Sequence, residues 1–200
     1  MLKYSAFLIA KYFQKQTSMN KTATSIFFER IKRVCVFDSS VYLDVRHSFF
    51  SAFFIVLLVA LSHGIGGIIR ARINNWDPKE SFVFAVQGEI VFWVVQSFVY
   101  FMIAKLLFHK PLKLTEVLSS IGYAIFPGIL IIAASFLPLI ELSIPMLIIL
   151  AVYRLATCTV ALQQLLNLKP FVAFMLVIVG SGTGFLCLGF FIKLSNAMVN

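Results

Sequence analysis

Apolar residues dominate five long stretches of the chain, at about residues 48–69, 82–107, 117–137, 142–162 and 171–192. Each stretch is continuous rather than alternating. Each therefore predicts a helix and not a barrel strand, whose side chains would change face at every residue. Crossing ~30 Å of hydrocarbon at ~1.5 Å per residue takes roughly 20 residues, which each stretch supplies. A helix also satisfies its own backbone polar groups where no water can. Polar linkers separate the stretches at 70–81 and 105–116, and tight reversals are expected at 138–141 and 167–170, with Pro170 placed to open a helix. The predicted fold class is all-α: an integral membrane helical bundle with five transmembrane helices. A basic tail (1–46) precedes the membrane domain (47–194), and a short C-terminal tail (195–200) follows it.

In the basic tail, Ile26, Phe27, Ile31, Val34 and Cys35 fall near one helix face, with Glu29, Arg30, Lys32 and Arg33 mostly on others. That pattern fits a helix lying in the membrane interface or an ordinary juxtamembrane linker, ended by Asp38-Ser39-Ser40. The apolar run 4–10 is short for a signal peptide, and Lys11 and Lys15 follow it without a cleavage site. It is read as retained on the membrane surface.

Composition sharpens the picture. Sixty per cent of the residues are apolar and 12% are charged, against roughly 25% charged in soluble domains. Mean hydropathy is +0.96. The formal charge of +9 is distributed unevenly. Twelve of the seventeen basic residues lie in the tail and in the second and fourth linkers, four lie on the opposite side, and Arg154 sits within a span. Positive loops stay inside, so the N-terminus is expected in the cytoplasm and the C-terminus outside. In a chain this apolar, the excess of cations addresses anionic lipid rather than nucleic acid.

Three ionisable residues fall inside predicted spans: His63, Glu89 and Arg154. Charges are costly there, so they face protein or water and find partners. His63 stands ~9 Å from the outer end of the first span and Glu89 ~10 Å from the outer end of the second, while Arg154 lies ~18 Å into the fourth. A polar cluster of these three is predicted, with Gln87 and Gln96 adding hydrogen-bonding capacity. It would serve either as a structural ion pair or as a proton or substrate relay.

Other motifs carry less. Gly180-Ser-Gly182-Thr-Gly184 lacks the preceding strand and the Lys-Ser/Thr of a nucleotide loop. Gly180 and Gly184 share a helix face and suit a close helix–helix contact or a homo-oligomer seam. His47, His63 and His109 have no common depth for a metal site, and Cys35, Cys158 and Cys187 have neither zinc spacing nor a disulfide pattern. No nucleophile–base–acid set shares a depth. No enzyme activity, cofactor or metal is expected.

The stretch Ile121-Gly122-Tyr123-Ala124-Ile125-Phe126-Pro127-Gly128 heads the third span. It resembles the Gly-Tyr-x-x-x-Pro signature of the Yip family, the Ypt/Rab-interacting multi-pass membrane proteins, in its prokaryotic-type branch. The basic run 30–36 before the first span, Trp93 and Tyr100 in the second, and Lys113-Leu-Thr-Glu116 before the motif agree with it. The Asp-Leu-Tyr-Gly-like motif of the Golgi members has no match; the nearest stretch is Ser40-Val-Tyr-Leu-Asp44. The resemblance implies five spans, a cytoplasmic N-terminus and a membrane-organising or trafficking-type scaffold acting on lipids and on an unidentified membrane or cytoplasmic protein. A bacterial-type inner membrane is expected, with Golgi or ER as the alternative. On physical grounds Pro127 should kink the span, as a packing feature or as a gate. The rival function is a small transporter or channel subunit using Glu89, Arg154 and His63.

Overall fold

A computed structural model describes residues 23–136 and 140–199, with side chains at 23–136, 145–187, 189 and 190. The retained run expected at 4–10 lies outside the described residues, as do 138 and 139 of the reversal expected at 138–141, whose other two residues already belong to the helix Ile140–Leu166. The described residues are helical throughout, in the order α1 (Ala23–Cys35), α2 (Val41–Asp44), α3 (Phe49–Ile73), α4 (Pro78–Leu106), α5 (Leu114–Ala124), a 3-10 turn (Phe126–Leu130), α6 (Ile131–Ser135), α7 (Ile140–Leu166) and α8 (Pro170–Val199). Five stretches are long and apolar enough to cross a membrane: Phe49–Ile73, Pro78–Leu106, Leu114–Ser135, Pro145–Leu166 and Pro170–Cys187.

Local chemistry sets the helix ends. Asp77 caps α4 by accepting from the backbone N–H of Lys79 and Glu80, and Pro78 occupies the first turn, where its missing N–H costs nothing. Glu116 reaches back to the Lys113 N–H at 3.1 Å and starts α5. Asn75 and Asn167 take left-handed backbone angles just past α3 and α7. There the N–H groups of Trp76 and Leu168 fold back onto Ala71 and Gln163. Phe37 does the same after α1, with the Asp38 N–H on Arg33.

The helices form a closed ring in the order α3, α4, α8, α7 and the third span, which returns to α3. Its seams are built on small residues. A Cβ on Gly64 would stand 2.6 Å from the Phe82 ring, and one on Gly122 would stand 2.9 Å from Ala52. On α8, a Cβ at Gly180 would reach 2.2 Å from the Tyr100 ring and one at Gly184 would reach 2.7 Å from Phe92. Gly180 and Gly184 thus make the close helix–helix contact within one chain, between α8 and α4.

The third span divides at Pro127. Its first half, α5, packs against α3, α4 and α7 and fills the middle of the ring. Its second half, the 3-10 turn with α6, leans on α3 and α7 and leaves α4. The ring is therefore solid at the end that holds the tail and hollow towards the end that holds the α3–α4 loop.

The tail closes the solid end. Val34, Val41, Tyr42 and Val45 are fully buried against the bundle. Ser120 Oγ donates to the Tyr42 carbonyl at 3.4 Å, and the Tyr153 hydroxyl donates to the Cys35 carbonyl. The apolar face of α1, through Phe27 and Ile31, lies on the same core. Arg46 pairs with Glu116 at 2.9 Å, tying the tail to the head of the third span. Arg33 binds Asp38 at 2.7 Å and Asp44 at 2.6 Å.

Two predictions test this packing. Gly180→Leu drives a side chain into the buried Tyr100 ring and should cost on the order of 1–3 kcal/mol. Gly182→Leu, where a Cβ meets nothing within 4 Å, should stay within about 0.5 kcal/mol. Thermal unfolding in detergent compares them; equal losses would dissolve the α4–α8 seam. The Ser40 hydroxyl and the Arg33 guanidinium hold the Asp38 carboxyl at about 2, below the usual carboxylate range. A depressed folded value means a contribution fully present above about pH 4 and lost as pH falls through about 2. The Asp38 carboxyl carbon should titrate at that low value by NMR, and its midpoint should climb in Arg33→Gln.

Candidate membrane-level polar cavity

Three helices bring His63, Glu89 and Arg154 together. Arg154 on α7 donates through Nη1 to Glu89 Oε2 at 3.1 Å and through Nη2 to Oε1 at 2.7 Å. His63 on α3 places Nδ1 3.1 Å from Glu89 Oε2. The two-pronged geometry is the strong form of a guanidinium–carboxylate contact. Helices α4 and α7 barely approach one another as backbones, so the Arg154 side chain bridges an open gap. Its guanidinium also lies over the Phe92 ring, 5.3 Å from the centroid.

The gap is a cavity of about 630 Å³. On α4 its wall includes Ala85, Glu89, Phe92 and Gln96; on α7 it includes Leu147, Leu150, Arg154 and Cys158. Both sets recur at three- to four-residue intervals, so each is one helix stripe. Arg154 and His63 keep 19% and 18% of their side-chain surface exposed although both stand well inside their helices. That exposure opens into the cavity. Glu89 keeps only 5%, because its partners cover it.

Gly128, directly after Pro127, lines the cavity. A Cβ on Gly128 would lie 2.9 Å from Val59, 3.5 Å from His63 Nε2 and 3.9 Å from Arg154 Nη1. Gly128 thus lets the backbone of the 3-10 turn approach the polar cluster. Tyr123 is fully buried in the core beside it, and Gly122 lies against α3. Of the motif residues, Pro127 stands in the break of the span, while Gly122 and Tyr123 belong to the buried end of α5.

Compared with protein-family models, with curated proteins and with solved structures, the chain matches none. The reading of the cavity therefore rests on its own chemistry.

That chemistry extends from Gln96, which the sequence marked for its hydrogen-bonding capacity, to groups the sequence did not single out. Gln96 Nε2 donates to the Tyr100 hydroxyl at 2.8 Å and to Ser181 Oγ at 3.1 Å, leaving Gln96 Oε1 buried without a partner among the described residues. Ser181 stands between two glycines whose spacing announced a packing face, and the network was hidden behind it. Arg70, assigned by hydropathy to the polar linker, belongs to α3 and lines the cavity. Gln87 is exposed on the outside of α4, since two residues of helix turn it away from the stripe of Glu89. His63 Nε2 is buried and has no partner among the described residues.

Removing one member should expose how far the cluster acts as a unit. Arg154→Leu strands the Glu89 carboxylate and should cost about 3–5 kcal/mol. Glu89→Leu together with Arg154→Leu should cost well under the sum of the single changes, because neither charge is then left unpaired. Unfolding free energies of the four proteins in detergent measure the coupling; strict additivity would mean that no pair exists.

Proposed function

We propose that this chain is an integral multi-pass membrane protein that binds a small molecule in its membrane-level cavity, as a small transporter or channel subunit does. The observation that carries this reading is the exposure of Arg154 and His63 into a cavity of about 630 Å³. An ion pair that served packing alone would be sealed. A volume in the range of roughly 300–1,000 Å³, apolar walls and a few convergent polar groups are what small-molecule sites share. Intramembrane charges that face a cavity rather than a seam mark binding paths.

The break at Pro127 supplies the means of access. Non-helical backbone at membrane depth is tolerated where it lines a cavity, and the 3-10 turn does so through Gly128. Towards the tail α5 and the Arg46–Glu116 pair pack the bundle, which favours an opening of the cavity on the opposite side, where Arg70 lines it. With the positive flanks held in the cytoplasm, that opposite side is the non-cytoplasmic face. The membrane is a bacterial-type inner membrane, in keeping with the resemblance of the Gly122–Tyr123–Pro127 stretch to the prokaryotic Yip branch.

A second reading, the Yip-type scaffold acting through protein and lipid contacts, is favoured by one observation. Gly122 and Tyr123 are spent on the core of the bundle and do not line the cavity. In that reading the motif fixes the bundle as a rigid platform.

Cysteine accessibility separates the two. In a chain with Cys35, Cys158 and Cys187 replaced by Ser, Ala85→Cys on the cavity wall should react in membrane vesicles with a water-soluble thiol reagent supplied from the non-cytoplasmic side. Val94→Cys, half-exposed on the outside of α4, should stay unlabelled. If Ala85→Cys is as inert as Val94→Cys, water does not enter, and the scaffold reading replaces the binding one.

A further inference from the structure

The cavity is unevenly charged. Its described lining carries two guanidiniums, Arg70 and Arg154, against the single carboxylate of Glu89. Glu89 gives both oxygens to Arg154 and shares one with His63. Arg70 has no carboxylate partner among the described side chains. Among the described residues its guanidinium makes one long hydrogen bond, from Nε to the Gly66 carbonyl at 3.4 Å. It is exposed and stands three residues before the end of α3, at the hollow end of the ring. An uncompensated cation at the rim of a low-dielectric cavity concentrates anions there.

Below Arg70 the lining includes, beside the polar cluster, the apolar side chains of Phe84, Phe92, Leu147, Leu150, Val177 and Phe185. From Phe84 to Gln96 the cavity follows twelve residues of α4, ~18 Å of helix. A compact polar solute would leave those walls uncovered. A molecule with an anionic head and an extended hydrocarbon body would cover them and neutralise Arg70.

We infer that the cavity takes a single-chain amphiphile with one anionic head, the head on Arg70 and the chain running down between α4, α7 and α8 towards Gln96. The inference rests on the cavity reading above and names its ligand class. Carboxylate and phosphate heads share the required chemistry. The first arrives as a free fatty acid from the aqueous face, the second as a lysophospholipid from the bilayer. The three-residue cluster lies beside the chain path, and its charges are already matched; Arg70 is the cation that selects the head.

The test uses the full chain in nanodiscs of zwitterionic lipid, with radiolabelled dodecanoate as the probe. Dodecanoate should bind to saturation, and dodecylamine and methyl dodecanoate should fail to displace it. Arg70→Gln should weaken binding about tenfold, the scale of one charge-assisted hydrogen bond. Leu150→Trp, which fills the wall without touching charge, should weaken binding while Arg70 is intact. Displacement by lauroyl lysophosphatidylglycerol at lower concentration than by dodecanoate itself would assign the ligand to the bilayer; the reverse order would assign it to the aqueous face. Either result upholds the ligand class. Equal competition by dodecylamine, or an unchanged affinity in Arg70→Gln, overturns it. Should no amphiphile bind while Ala85→Cys remains labelled, the ligand class falls and the cavity stands; if labelling is lost as well, both fall.

Discussion

Pro127 has no backbone N–H to give, and the third apolar span does not continue as an α-helix through it. The consequence reaches beyond one lost hydrogen bond. The segment before the break keeps to the middle of the ring and fills it, while the segment after the break leans away from α4. One half of the bundle becomes solid and the other hollow. The position of the cavity, the gap between α4 and α7 and the side from which the polar cluster is reached all depend on this change of direction.

Charge follows from that geometry. Glu89 and Arg154 meet across the gap between α4 and α7, with His63 of α3 at the same carboxylate. Stranding either ion in a medium of low dielectric constant would cost several kcal/mol. The two-pronged contact and the Nδ1 of His63 satisfy the carboxylate, so the pair holds two helices that otherwise barely touch. The same gap leaves Arg154 and His63 partly exposed to its interior. Stability and access are thus coupled: the group that bridges the cavity also lines it.

The tail adds a second constraint. Val34, Val41, Tyr42 and Val45 pack into the bundle rather than resting beside it, and Arg46 with Glu116 pins the tail to the third span. An apolar face on α1 was legible from Ile26, Phe27, Ile31 and Val34. What it would face was not, because the same stripe suits a lipid interface and a protein groove equally well. Arg33 shows the point. Its charged neighbours within three residues, Arg30 and Lys32, are both cations, and its partners, Asp38 and Asp44, come within reach only once the chain has turned at Phe37.

The five apolar stretches were readable as segments, because hydrocarbon thickness and helix rise set how many apolar residues a crossing helix needs, but not their ends: the first runs on to Ile73 and the second starts at Pro78. The meeting of His63 with Glu89 was also readable, since two sequential antiparallel helices carry them at the same depth. Depth, however, says nothing about azimuth. Gln87 points away from the stripe that Glu89 and Gln96 share, Arg70 turns into the cavity from a position that hydropathy assigned to a linker, and Gly180 with Gly184 meets α4 of its own chain. Periodicity along one helix fixes which residues share a face. Only the packing of five helices around a broken one decides what that face looks upon, because the contact energy belongs to pairs of helices and not to any single run of sequence.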